Sequence, residues 1–136
     1  MSIAEKSVLI VDDMKMVRMK LKQICNQIGL QKLYEAADGE EALDTLKTVT
    51  IDLVLSDWNM PKMTGIQLVQ EIRKLPQFAN LPVIFITSED QKDNILKSLM
   101  GGVTDYVVKP FADAVVKQKI FACLKVSSSA KGTASQ

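Results

Sequence analysis

Ser7–Asp13 reads Ser-Val-Leu-Ile-Val-Asp-Asp, an apolar, β-branched run that stops at two adjacent aspartates. A run with no apolar/polar alternation predicts a strand covered on both faces, which is the situation of a parallel sheet between helices. Met14–Ile28 follows, with Val17, Leu21, Ile24, Cys25 and Ile28 at helical spacing, and Gly29 ends it. This strand-then-helix unit recurs along the chain. Lys32–Ala36 and Glu40–Lys47 form the second unit, with Ala42, Leu43 and Leu46 inward. Ile51–Ser56 and Ile66–Leu75 form the third, split by Asn59-Met60-Pro61 and Gly65, its helix carrying Ile66, Val69 and Ile72. Leu81–Thr87 and Asp90–Met100 form the fourth, closed by Gly101-Gly102, and Asp105–Val108 and Phe111–Val126 the fifth. Ser127–Gln136 lacks apolar periodicity and reads as a disordered tail, which leaves residues 1–126 as the folded domain. Five units are too few for an eight-fold barrel, so the expected fold is α/β: a doubly wound, five-stranded parallel sheet with helices on both faces.

Composition narrows the chemistry. The 136 residues, 47% hydrophobic and 24% charged, suit one globular domain. Apolar runs fall far short of the ~20 residues that span a bilayer, and the N-terminus lacks a signal peptide's apolar stretch, so a cytoplasmic protein is expected. A pI of 7.7 is too low for a nucleic-acid binder. The absence of histidine excludes Ser-His-Asp and Cys-His nucleophile pairs, histidine zinc sites and a phosphohistidine carried by this chain. Cys25 and Cys123 are far apart and read as small buried hydrophobes. Met14, Met16 and Met19 read as core and rim filler. The basic run Lys15, Arg18, Lys20 and Lys22 reads as a solvated helix face, or as a rim for an acidic partner.

In an open parallel sheet, ligands bind beyond the carboxyl ends of the strands, where the strand order reverses. Asp12-Asp13, Asp57, Thr87-Ser88 and Lys109-Pro110 all fall there. Three carboxylates drawn within ~5 Å repel by roughly 3 kcal/mol per pair at an effective dielectric near 20. A lysine offsets part of that charge, and a hard divalent cation such as Mg²⁺ suits an all-oxygen donor set. The bland alternative is that each aspartate caps a helix. Asp13, just before the first helix, is open to that reading. Asp57 is not, because Trp58-Asn59-Met60-Pro61 follows it.

Four segments carry a family resemblance: VLIVDD (Val8–Asp13), LVLSDWNMP (Leu53–Pro61), VIFITSE (Val83–Glu89) and DYVVKPF (Asp105–Phe111). In order and spacing, residues 5–126 resemble the receiver domains of two-component response regulators, most closely the single-domain CheY-like chemotaxis type. The resemblance implies a flavodoxin-like strand order 2-1-3-4-5 and assigns roles. Asp57 is the phospho-acceptor, charged by a CheA-like histidine kinase or by a small donor such as acetyl phosphate. Asp12, Asp13, Asp57 and the main-chain carbonyl of Asn59 hold Mg²⁺. Thr87 and Lys109 engage the phosphoryl oxygens, with a cis Lys109–Pro110 bond. Tyr106 is the switch aromatic, and Asn59 and Glu89 tune dephosphorylation. The implied partner face spans the fourth helix, fifth strand and fifth helix. Here it comprises Lys92, Ile95, Leu99, Val103, Tyr106, Val108, Phe111 and Lys119, fitted to a flagellar motor switch protein or a phosphatase. The resemblance further implies a monomer that is no enzyme beyond its own phosphorylation and dephosphorylation. A phosphorelay shuttle or phosphate sink stays open beside it. An FMN carrier is disfavoured by aspartates where a phosphate loop belongs, and an aspartyl phosphatase by Asn59 where a general acid belongs.

Overall fold

The computed structural model describes residues 3–58, 60–88 and 105–124. Five strands pair in parallel: β1 (Ser7–Val11), β2 (Lys32–Ala36), β3 (Leu53–Asp57), β4 (Val83–Thr87) and β5 (Asp105–Val108). Their order is β2-β1-β3-β4-β5, as the resemblance implied. The order reverses between β1 and β3, so their carboxyl ends border the crevice at which ligands bind in such sheets.

Both faces of the sheet are apolar because neighbouring residues on a strand point in opposite directions. Leu9, Val11, Val54, Val83 and Phe85 pack on one side, against Ala42 and Leu46 of α2 (Gly39–Thr48) and Leu68, Val69 and Ile72 of α3 (Gly65–Arg73). Val8, Ile10, Leu53, Leu55, Ile84 and Ile86 pack on the other. There they meet Leu21, Ile24 and Cys25 of α1 (Lys15–Gln27), and Val116, Ile120 and Leu124 of the C-terminal helix (Asp113–Leu124). Burial pushes the Cys25 thiol up to about 12, which makes it an inert core group. Cys123 is half-buried, and neither cysteine is in a disulfide. None of the helices described is long and apolar enough to cross a membrane.

Helix starts and stops follow local chemistry. Asp38 accepts the Glu41 N–H at 2.9 Å to open α2, and Thr64 with Gln67 forms a reciprocal capping box on α3. Gly29, at φ +98°, turns the chain out of α1 in a conformation that suits glycine.

Three expectations change. Asp13 does not cap α1; the Oδ1 of Asp12 takes the Met14 N–H instead, at 2.8 Å. Ile66 is 41% exposed, and Leu68 takes the inward place on α3. Met14, Met16 and Met19 are not core: they lie on the outer side of α1, Met16 being 79% exposed, because Leu21, Ile24 and Cys25 fill the inner side. The helix expected over Asp90–Met100, the Gly101-Gly102 pair and the tail from Ser127 lie outside the described residues.

Gly65 joins the fold to the site. It begins α3 where the Trp58 and Phe85 rings meet edge to face, their centroids 5.0 Å apart. A Cβ at this position falls 2.7 Å from Trp58 Cε3 and 2.9 Å from Phe85 Cε1. Alanine favours a helix over glycine by up to ~1 kcal/mol, but overpacking two interlocked rings costs about 1–3 kcal/mol and outweighs it. Gly65→Ala should therefore lower stability by about 1–2 kcal/mol and perturb Trp58 fluorescence. Urea unfolding checks this, and an unchanged midpoint contradicts the packing argument.

Candidate functional site

The site is built from the last residue of each strand and the one or two that follow. Asp12 extends the ladder one step beyond β1 by donating its N–H to the Ala36 carbonyl at 3.1 Å, so its position is set by the sheet. Its side chain is 1% exposed. Oδ1 accepts the Met14 N–H, while Oδ2, fully buried, has no hydrogen-bond partner among the described residues and faces Lys109 Nζ at 3.6 Å. Burial raises the Asp12 carboxyl above its ordinary value, against the opposing pull of the Met14 N–H and the Lys109 ammonium. Asp57 ends β3, across from Ile86 of β4, and Asp13 lies exposed at the rim. Carboxylate oxygens of Asp12, Asp13 and Asp57 come within 4.8 Å of one another.

The lysine that faces these acids is held as firmly as they are. Lys109 donates its N–H to the Thr87 carbonyl at 2.6 Å, prolonging the β4–β5 ladder, and the Lys109–Pro110 peptide is cis. Its Nζ lies 3.8 Å from Asp57 Oδ1 and 3.6 Å from Asp12 Oδ2, between the two acids. Thr87 is buried, and its hydroxyl donates to the Ser88 carbonyl at 3.4 Å, a long bond that a stronger acceptor readily replaces.

A hard divalent cation fits these residues. The donor set is all oxygen, and the buried Asp12 Oδ2 lacks the partner that such a group normally has.

Of the expected site residues, the structure brings Asp12, Asp13, Asp57 and Lys109 together, with Thr87 carried on the strand that pairs with both β3 and β5. Asn59 and Glu89, expected to supply a ligand carbonyl and to tune dephosphorylation, lie outside the described residues. So do Lys92, Ile95, Leu99 and Val103 of the expected partner face. Its other members border one open groove of about 460 Å³ that includes Tyr106, Val108, Phe111 and Lys119. Within it Lys119 is bound to Asp105 at 2.9 Å, so its charge is shared inside the chain. Tyr106, half-buried, packs with the core that holds Trp58 and Phe85, whereas Phe111 packs with the core on the other face.

Two polar contacts were not readable from spacing. Arg18 Nη1 donates to the main-chain carbonyl of Asp12 at 2.7 Å, and Lys62, at φ 72°, places its Nζ 3.4 Å from Asp38. The basic run on α1 is also less free than expected. Arg18 and Lys22 both pair with Glu35, and Lys20 pairs with Asp113.

Comparison with known proteins agrees with this geometry. Residues 8–121 match the response regulator receiver domain family. The chain is 41% identical over 113 residues to the chemotaxis protein CheY of Pseudomonas aeruginosa, covering 83% of this chain and 91% of that protein. It has the same identity over 113 residues to chemotaxis protein CheY-3 of Vibrio cholerae, covering 83% of this chain and 87% of that one. The solved structure of CheY4 of Vibrio cholerae superposes with a TM-score of 0.81 at 30% identity, covering 88% of this chain and 98% of the other.

The strain in the acidic cluster has a measurable sign. A carboxyl whose folded-state pKa lies above its unfolded value binds more protons folded than unfolded. Asp12 therefore makes the metal-free fold lose stability as pH rises from the ordinary value of 3.8 through its raised value, and the penalty stays constant above that. Asp12→Asn, which keeps an acceptor for the Met14 N–H, should stabilise the metal-free protein at neutral pH. Urea unfolding in EDTA checks this, and a loss of stability contradicts it.

Proposed function

The chain belongs to the response regulator receiver domain family, and we propose that it works there as a phospho-accepting switch of the stand-alone chemotaxis type. The observation that carries the reading is the set of three strand-end carboxylates within 4.8 Å, with Lys109 Nζ between Asp12 and Asp57. Of the two acids that Lys109 reaches, Asp57 is the more accessible: its side chain is 14% exposed, whereas that of Asp12 is 1% exposed with one oxygen already engaged.

In this reading a carboxylate oxygen of Asp57 attacks the phosphorus of a phosphohistidine on a partner kinase, or of acetyl phosphate. The new bond is O–P. The bond that breaks is N–P, or the O–P bond of the small donor, and its electron pair leaves with the imidazole or acetate. Phosphoryl transfer needs positioned charge more than covalent assistance. The Lys109 ammonium, already 3.8 Å from Asp57, follows the charge onto the phosphoryl oxygens. The Thr87 hydroxyl exchanges its long bond to Ser88 for one of those oxygens. Mg²⁺ held by Asp12, Asp13 and Asp57 would offset carboxylate repulsion and the charge of the transferred group. The chain acts on itself and turns over no separate substrate.

The readout runs through β4 and β5. Thr87 and Lys109 are tied by a main-chain bond, and Phe85 is in register with Tyr106, so a displacement at Thr87 reaches the Tyr106 side of the groove. We assign that face to a downstream protein such as a flagellar motor switch component. The phosphodonor is a CheA-like histidine kinase and the setting is the cytoplasm.

Two variants test this. Asp57→Asn should abolish aspartyl phosphate formation from acetyl phosphate, and EDTA should do the same to the unaltered protein. Labelling that survives in Asp57→Asn sinks the assignment. Lys109→Met should lose phosphorylation-dependent partner binding while holding Mg²⁺ as tightly or tighter, by roughly tenfold at most, because a positive charge beside the cation is gone. Weaker Mg²⁺ binding in Lys109→Met contradicts its placement as a counter-charge.

A further inference from the structure

We propose that Arg18 is a positioning residue for the acidic pair: through the Asp12 main-chain carbonyl it holds the peptide joining Asp12 to Asp13 and so sets the geometry of the cation site. The inference rests on the reading of Asp12 and Asp13 as cation ligands given above.

Arg18 stands on α1, with its side chain only 16% exposed. Nε donates to Glu35 Oε1 at 2.9 Å, and Nη1 donates to the Asp12 carbonyl oxygen at 2.7 Å. Glu35 is itself anchored. It sits on β2, in register with Ile10 of β1, and accepts Lys22 Nζ at 3.0 Å. The Lys22 and Arg18 bonds hold its carboxyl below the ordinary range, so it stays ionised as a fixed base for the guanidinium. The fork of Arg18 therefore spans from the middle of β2 to the first peptide beyond the β1–β2 ladder. That ladder closes at the bond from the Asp12 N–H to Ala36, and α1 starts at Lys15. Between them, the Asp12–Met14 turn is fixed by the Met14 N–H on Asp12 Oδ1 and by Arg18 on the Asp12 carbonyl. With Oδ1 committed and the peptide held, Asp12 Oδ2 is the oxygen left without a hydrogen bond among the described residues, and it faces Lys109 at the site. Lysine cannot replace this fork, since one ammonium on a flexible stem does not serve two acceptors at fixed directions.

Electrostatics and positioning predict opposite signs, which makes the inference testable. Arg18 is a cation beside an acidic site. If it acted only as a charge, its removal would tighten Mg²⁺ binding. If it positions the ligands, removal weakens binding, on the scale of about 10–100-fold seen when groups that orient metal ligands are lost. The experiment is Mg²⁺ titration of the full chain by calorimetry, alongside Trp58 fluorescence and urea unfolding, for the unaltered protein, Arg18→Met, Arg18→Lys and Lys22→Met. The expected result is a Kd raised about tenfold or more in Arg18→Met and raised less in Arg18→Lys. Lys22→Met, which loses a charge at Glu35 but no bond to Asp12, should keep its Kd within about twofold. An equal or lower Kd in Arg18→Met overturns the proposal, as does weakening of equal size in Lys22→Met. Should Arg18→Met fail to fold, Arg18→Lys decides alone, and a Kd equal to that of the unaltered protein overturns it. If the unaltered protein binds no Mg²⁺, the cation reading itself fails, a result distinct from a site that binds normally without Arg18.

Discussion

Three carboxyl groups with oxygens within 4.8 Å, one of them almost wholly out of solvent, repel one another at the carboxyl edge of the sheet. The chain does not relax that repulsion by moving them apart. Asp12 is the next rung of the β1–β2 ladder, and Asp57 is the last residue of β3. Their separation is thus set by the register of strands whose side chains are buried on both faces. Relief comes from positive charge: Lys109, held by the β4–β5 ladder, reaches two of the acids. Among the described residues the buried Asp12 Oδ2 is still left without a hydrogen bond. The packed sheet stores an electrostatic demand that a hard cation can meet.

The same rigidity couples chemistry to surface. Thr87 ends β4 and Lys109 directly follows β5, the two joined by a 2.6 Å main-chain bond, and Tyr106 lies on the strand that leads to Lys109. Among the described residues β5 is an edge strand, and its residues border an open groove. Charge added at the centre of the sheet therefore has a short path to an exposed edge. A close-packed interior such as the Trp58–Phe85–Gly65 contact favours discrete repacking over gradual deformation.

Much of this was legible in the sequence. Continuous apolar strands and helical spacing predicted the α/β sheet, because burial on both faces leaves a pattern that local reading detects. The convergence of Asp12, Asp13, Asp57, Thr87 and Lys109 followed from strand ends and the rule that parallel sheets bind at their carboxyl edge. What escaped was the identity of partners across elements. Asp13 stands directly before Met14 and α1, yet it is Asp12 that accepts the Met14 N–H, a choice that spacing does not reveal. Methionine spacing did not reveal which side of α1 faces out, since Leu21, Ile24 and Cys25 already fill the inner side. The Arg18 bond to the Asp12 carbonyl and the Lys62 contact with Asp38 join residues through main-chain positions and loop angles that leave no periodic trace.

A cation site held under electrostatic strain by the fold must gain stability when the cation binds. The most direct test is the urea midpoint of the full chain against Mg²⁺ concentration, with sodium added to matched ionic strength as control. If the cation binds the folded chain alone, stability rises with the logarithm of Mg²⁺ concentration above Kd, by about 1.4 kcal/mol at tenfold excess over Kd. That rise is expected with Mg²⁺ and not with matched sodium. Identical curves for the two salts would contradict it.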